Sequence, residues 1–420
     1  MVNTSDPRNF RRRLERQREL LADAAIDESD RREITSFAQR KDGNVSVSTL
    51  KTYLRRLRRA AEWAPVPLTE ISEAEYREFI FNLRHDSSKG RGDGPLSDAT
   101  LKSYEDITCQ FLEVECGREW AGEVERTTVE ATTVDASEML TLGNIQALRD
   151  ACRHQRDVAL VEFLADTGAR ITLVCSLRVK DVSLDGDRAT YQPNADALGL
   201  KGAEVTPYPV IDAKADLKTY LRRSHPRSDE PNAALFHRLR RWDDDIEVDD
   251  GACDPSALRN HLVRIGERAG IEKPTNPHNF RHSAITRMVR EGYSRDQIEH
   301  RVHWSLDTDM WERYVHITAE EHNDDIFANA GIVEAEDGTD ARRHPCGNCR
   351  EPLAPHHQFC PNCGEAASPD ARDMVGEVET DGIQALAEGD LSPTERRAVA
   401  AALEAVRVSN DRRHDQSPDR

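Results

Sequence analysis

Apolar residues recur at helical spacing through most of this chain, and a single interval replaces that rhythm with one suited to strands. The pattern confines the fold to helical layers with room for one small sheet, a mainly α, α+β class. The clearest stripe is Leu50, Tyr53, Leu54, Leu57 and Ala61, with Ser48 as its expected N-cap and Arg55, Arg56 and Arg59 on the other face. A second start signal is Ser97, followed by Leu101, Tyr104, Ile107 and Phe111, and the polar stretch Asp86–Pro95 between the two stripes reads as a loop. Residues 1–125 are therefore expected to form one helical domain, and the Thr- and Val-rich residues 126–136 a linker. A larger domain is expected over 137–332. It has helices around Leu140–Ala151, Val158–Ala165, Ala213–Arg222, Pro255–Ala269 and Asn279–Arg290, and strands near Ala189–Gln192 and Val205–Ile211.

With 420 residues, the chain can bury more than one core. Its formal net charge is −19, and arginine supplies most of the cations. An acidic, lysine-poor surface suits very concentrated salt, which points to a halophilic host. The negative total does not exclude nucleic acid, because salt screens distant charges and the local field decides binding. No apolar run reaches the ~20 residues of a membrane span, and no apolar leader follows Met1, so a cytoplasmic protein without a membrane partner is expected. Cys109, Cys116, Cys152, Cys175 and Cys253 are scattered and read as small buried residues, not as disulfide partners.

Three short stretches each offer a phosphate-binding cation. Thr167-Gly168-Ala169-Arg170 places an arginine after a left-handed helix stop at Gly168. Lys201-Gly202 falls where the strand-rich interval must turn. In Asn276-Pro277-His278-Asn279-Phe280-Arg281, Asn276 and Pro277 read as N-cap and first helical residue, so His278 and Arg281 share one face of the first turn, where anions are favoured. Tyr314 follows all three. A phenol among guanidiniums loses its proton more readily, and planar guanidiniums can hold a phosphodiester by paired hydrogen bonds without a metal. Taken singly, each box is weak: a surface arginine, a capping histidine, a loop lysine, a core tyrosine.

In this order and spacing the boxes resemble the tyrosine recombinase (phage integrase) family. The resemblance spans Leu140 to about Ile332 and extends weakly to the helical segment before it, which looks like the family's SAM-like core-binding domain. It implies a site-specific recombinase or integrase acting on double-stranded DNA. Tyr314 would form a 3′-phosphotyrosyl link, Arg170 and Arg281 would hold the phosphate, and His278 would hydrogen-bond it and accept the tyrosine proton. Lys201 would protonate the 5′-oxygen, and no cofactor would serve catalysis. Trp304 would fill the family's His/Trp position, with His303 standing where glycine is usual; His303 is the alternative. The family also implies a homotetramer on two DNA sites, with Arg55, Arg56 and Arg59 facing phosphates. One departure is Leu173, where a carboxylate is common three places after the first arginine; Asp181 is a candidate replacement. The rival readings are a DNA-binding regulator without strand cleavage and a type IB topoisomerase-like enzyme.

Cys346-Gly347-Asn348-Cys349 and Cys360-Pro361-Asn362-Cys363 form two knuckles at the spacing of a zinc ribbon. Residues 342–366 are thus expected to hold a structural Zn²⁺ through Cys346, Cys349, Cys360 and Cys363. Acidic residues outnumber basic ones beyond Gly331, which favours an accessory protein over DNA as the ribbon's contact. Residues 367–420 read as a polar, partly disordered tail with one helix beginning at Ser392-Pro393.

Overall fold

The structure, a computed structural model, describes residues 2–89, 94–129, 135–185 and 188–304, Trp311, and scattered residues between 344 and 371. The first six helices are α1 (Phe10–Ala22), α2 (Glu28–Lys41), α3 (Val47–Trp63), α4 (Glu73–His85), α5 (Asp98–Val114) and the single turn α6 (Trp120–Glu123). They share one core that includes Ile34, Phe37, Leu54, Leu57, Tyr76, Tyr104 and Phe111, all nearly inaccessible. The stripe of α3 lies in that core as expected, but its N-cap is Ser46 and not Ser48. The Ser46 hydroxyl accepts the Thr49 amide at 3.1 Å, while Ser48 already belongs to the first turn. Val45 and Leu50, the positions of a hydrophobic staple around that cap, both join the core.

The second body carries a separate core. Its helices are α7 (Leu142–Asp150), α8 (Gln155–Thr167), the short α9 (Ile171–Val174), α10 (Lys214–Arg223), α11 (Pro255–Arg268), α12 (Pro277–Arg290) and α13 (Arg295–Arg301). Helix α8 is buried along its length and packs against α7, α10 and α12. The expected strands exist but are shorter: β1 (Val182–Ser183), β2 (Thr190–Tyr191) and β3 (Tyr208–Pro209) form an antiparallel sheet in the order β1-β2-β3. Val182 pairs with Tyr191, and Tyr191 with Tyr208. The long return from β2 to β3 holds Lys201.

Among the described residues no helix is long and apolar enough to cross a membrane. Farther along, β4 (His344–Pro345) pairs with β5 (Pro352–Leu353), and Phe359 bridges Ala366. Tyr314, Cys349, Cys363, much of the linker and the tail helix at Ser392-Pro393 lie outside the described residues.

Candidate active site

The site is built on the C-terminal end of α8. Gly168 closes that helix at φ 59°, and a Cβ there would stand 3.2 Å from the Ala284 side chain, so glycine also permits α8 and α12 to approach closely. The chain then turns at Arg170, the N-cap of α9. Arg170 is half-buried, and burial lowers its guanidinium pKa from the usual value. It donates to the His303 carbonyl oxygen at 3.4 Å.

Arg281 enters from α12, whose start is set as the sequence indicates: the Asn276 side chain accepts the His278 amide at 3.0 Å and the Asn279 amide at 3.3 Å, with Pro277 first in the helix. The Arg281 guanidinium is buried and donates to the Gly168 oxygen at 2.8 Å and the Val302 oxygen at 2.6 Å. It thereby ties the loop bearing Arg170 to the loop bearing His303 and Trp304. The Trp304 ring lies 5.4 Å from its guanidinium carbon, within cation–π range.

The end of α13 gives His303 and Trp304 different places. The Trp304 amide donates to the Glu299 oxygen at 2.9 Å and the His303 amide to the His300 oxygen at 3.2 Å, the two bonds of a Schellman motif. His303 is its left-handed residue, at φ 56°, the position glycine normally takes. Its imidazole points into the body, where Nε2 sits 3.0 Å from the Tyr191 hydroxyl and the ring packs edge-on against Tyr208. Burial, with Arg281, Arg170 and His300 nearby, pushes its pKa down to about 3, so the ring is neutral. Trp304 packs beside Arg281 and meets Trp311 edge-on at 5.5 Å. The Trp311 indole donates to the buried Glu299 carboxylate at 2.7 Å.

Arg170 and Arg281, from two of the boxes, are thus gathered with Trp304 from the end of α13. His278 is exposed on the first turn of α12, its ring 4.2 Å from that of His282. Lys201 is exposed too, in a tight turn where Lys201 and Gly202 have φ of 52° and 80° and the Ala203 amide donates to the Leu200 oxygen at 3.3 Å. That pair of left-handed residues has the pattern of a type I′ turn. Asp181, the candidate replacement for a carboxylate at Leu173, is held by Arg178 at 3.0 Å, and Leu173 is buried in the core.

Sequence reasoning missed two further arginines at the end of α8. Arg301 pairs with the Asp166 carboxylate at 2.7 Å and donates to the Asp166 backbone oxygen at 3.0 Å; Arg287 donates to the Ala165 oxygen at 2.7 Å. The Asp166 carboxylate also accepts the Ile211 amide at 2.7 Å, which fixes the segment leaving β3. The signal was an aspartate directly after the apolar pair Leu164-Ala165, on a helix that also carries Asp157 and Glu162.

On α3, the Arg56 guanidinium stacks over Tyr104 at 4.2 Å and that of Arg59 over Trp63 at 5.8 Å, while Arg55 is exposed. Burial of its stem, then Arg56 and Arg59, lower the Arg55 pKa. Lys51 is likewise lowered, by burial and then by Arg13, Arg55 and Arg8, so cations from α1 and from the segment before it join those of α3.

Residues 136–321 match the model of the phage integrase family. The chain is 26% identical over 294 residues to the tyrosine recombinase XerD of Corynebacterium glutamicum, covering 66% of this chain and 90% of that protein. It is 28% identical over 251 residues to the tyrosine recombinase XerA of Thermococcus kodakarensis, covering 59% and 77%. Among solved structures it is similar to a XerH site-specific recombinase bound to a palindromic difH substrate in a post-cleavage complex, with 17% identity, a TM-score of 0.47, and coverage of 78% of this chain and 97% of that one.

Proposed function

Because this chain belongs to the phage integrase family of tyrosine recombinases, we propose that it is a site-specific DNA recombinase that cuts and rejoins duplex DNA through a 3′-phosphotyrosyl intermediate. The observation that carries the site assignment is the convergence of Arg170, Arg281 and Trp304 at the end of α8 from three separate stretches of the chain. In this reading the two guanidiniums stabilise the charge that builds on the non-bridging oxygens. The Tyr314 oxygen attacks phosphorus and its proton passes to His278. The bond to the 5′-oxygen breaks, and Lys201 supplies that oxygen with a proton. The phosphotyrosyl link conserves the energy of the broken ester, so rejoining needs no nucleotide cofactor. Trp304 packs beside the phosphate-binding arginine. His303, facing inward and neutral, serves the backbone turn.

Arg55, Arg56 and Arg59 supply sequence-independent phosphate contacts, with Arg55 the most exposed of the three. A homotetramer on two DNA sites would allow strand exchange. The CxxC pairs would hold zinc: Cys346 and Cys360 both lie in one small buried cluster with Leu353, and the Gly364 amide donates to the Cys360 oxygen at 2.7 Å, closing the second knuckle. Such a ribbon would be a structural module that offers an accessory protein a docking surface. An acidic, halophilic background fits the charge.

The test is a nicked suicide duplex carrying candidate attachment sites, incubated with the full chain in EDTA. A covalent protein–DNA adduct is expected with wild type and none with Tyr314→Phe. Binding without an adduct across the native flanking sites would replace the enzyme with a DNA-binding regulator.

A further inference from the structure

The chain passes between its two bodies a second time, ahead of α1. Asp6 starts α1 by accepting the Phe10 amide at 2.7 Å and the Arg11 amide at 2.9 Å. The residues before it lie on the other body. The Thr4 amide and hydroxyl both donate to Asp250, at 2.7 and 2.8 Å, and the Thr4 oxygen accepts from Asn194 at 3.4 Å. The Leu198 amide donates to the Ser5 oxygen at 2.8 Å. Arg8 donates to the Thr172 hydroxyl at 2.7 Å, two residues past Arg170. Thr4, Asp6 and Phe10 are buried.

Two of these contacts, at Asn194 and Leu198, fall on the stem of the β2–β3 turn, and Phe10 adds a third. Gly199, at φ 81°, lies against the Phe10 ring so closely that a Cβ would stand 2.4 Å from it. Asn194, Leu198 and Gly199 are therefore all held by residues 4–10, and Lys201 follows two positions after Gly199. The strands that flank this turn are two residues each and cannot by themselves fix the end of a long ribbon. Lys201 is exposed on a flexible stem, so its reach is set by where its backbone is held.

We propose that residues 4–10 are a positioning strap that holds the Lys201 turn in place for protonation of the leaving 5′-oxygen. The proposal rests on the assignment of Lys201 as the general acid. Phe10 and Asp250 are its anchors, and neither touches the reacting atoms.

The experiment compares two suicide duplexes in single-turnover cleavage by the full chain. One has an ordinary scissile phosphate; the other has a bridging sulfur at the 5′ position. With sulfur, the Tyr314 oxygen–phosphorus bond forms, the phosphorus–sulfur bond breaks, and the electron pair leaves on a thiolate that needs no proton. Phe10→Ala and Asp250→Ala should each cleave the ordinary phosphate about tenfold more slowly or worse, part of the ~10²–10⁴ a general acid supplies. Both should return to near the wild-type rate on the sulfur substrate, with unchanged DNA affinity. Asp250→Ala guards against a Phe10→Ala protein that does not fold, and melting curves check both. Equal loss on the two substrates, or no loss, overturns the strap. Lys201→Ala separates the two claims. If sulfur rescues it while the strap variants stay slow, the strap alone is wrong. If sulfur does not rescue it, the general-acid assignment falls and takes the strap with it.

Discussion

Replacing Arg301 with methionine should destabilise the protein by about 3–5 kcal/mol, the usual cost of removing one partner of a buried ion pair. Arg301 and Asp166 are almost wholly inaccessible, with side-chain exposures of 5% and 0%, and their charged atoms are 2.7 Å apart. Methionine fills a similar volume, so little of the loss would come from a cavity. It leaves the Asp166 carboxylate buried with the Ile211 and Ala213 amides as remaining donors, at 2.7 and 3.3 Å. It also frees the Asp166 backbone oxygen at the end of α8. Arg301→Lys should cost less, about 1–2 kcal/mol, because a point charge can meet the carboxylate but cannot also bond the backbone oxygen in the fork geometry. Urea unfolding at pH 7 reads both as shifts in midpoint at constant slope. The Arg301/Asp166 double-mutant cycle should give a coupling of a few kcal/mol. An Arg301→Met protein within about 1 kcal/mol of wild type would refute the reasoning, since the pair would then behave like a solvent-exposed bridge.

His303→Asn keeps a residue that tolerates the left-handed turn but removes the titrating ring. The folded pKa of about 3 lies below the unfolded value near 6.5, so the unfolded chain binds the proton first. The His303 contribution is complete above pH 6.5 and is lost as pH falls toward 3, at about 1.4 kcal/mol per unit. From pH 7 to pH 5, wild type should therefore lose about 2 kcal/mol relative to His303→Asn in urea unfolding, and parallel profiles would remove the buried neutral ring from the account. Arg55→Ala should weaken binding to all DNA sequences alike and reduce the slope of log affinity against log salt by about one; an effect confined to one sequence would make Arg55 a base-reading residue. Metal analysis of the full chain should find about one zinc per molecule, falling toward zero in a Cys346→Ser, Cys360→Ser double variant, as tetrahedral thiolate coordination requires; zinc that survives both substitutions would place the metal elsewhere.

The helical class, the small sheet and the starts of α5 and α12 were legible because each rests on a local rule: apolar spacing, a cap, a proline at the first helical turn. Gly168 as a left-handed stop was legible for the same reason. Ser46 was misread as Ser48 because both serines precede the same stripe, and only the bond to Thr49 decides between them. The strands proved short: in the β2–β3 return, Asn194, Leu198 and Gly199 are held by contacts from residues 4–10 and not by ladder pairing. No sequence window joins Phe10 to Gly199, or Arg301 to Asp166. Such pairings follow from how helices pack, which periodicity within one helix does not encode.

The loss of a carboxylate at Leu173 has a physical counterpart at the end of α8. Arg170 and Arg281 are oriented by backbone oxygens: His303 for the first, Gly168 and Val302 for the second. A carboxylate would cancel a full positive charge, whereas a carbonyl dipole orients a guanidinium while leaving its net charge in place. One buried acid at this end of α8, Asp166, is matched by Arg301, an arginine outside the proposed phosphate-binding pair. The backbone oxygens of His303, Gly168 and Val302 orient the two guanidiniums without adding a formal negative charge of their own, in a chain whose total is −19. That arrangement suits the proposed polyanionic partner: distant negative charges are screened within about a Debye length, and under the proposed assignment the two guanidiniums would act within a few Å of a phosphate.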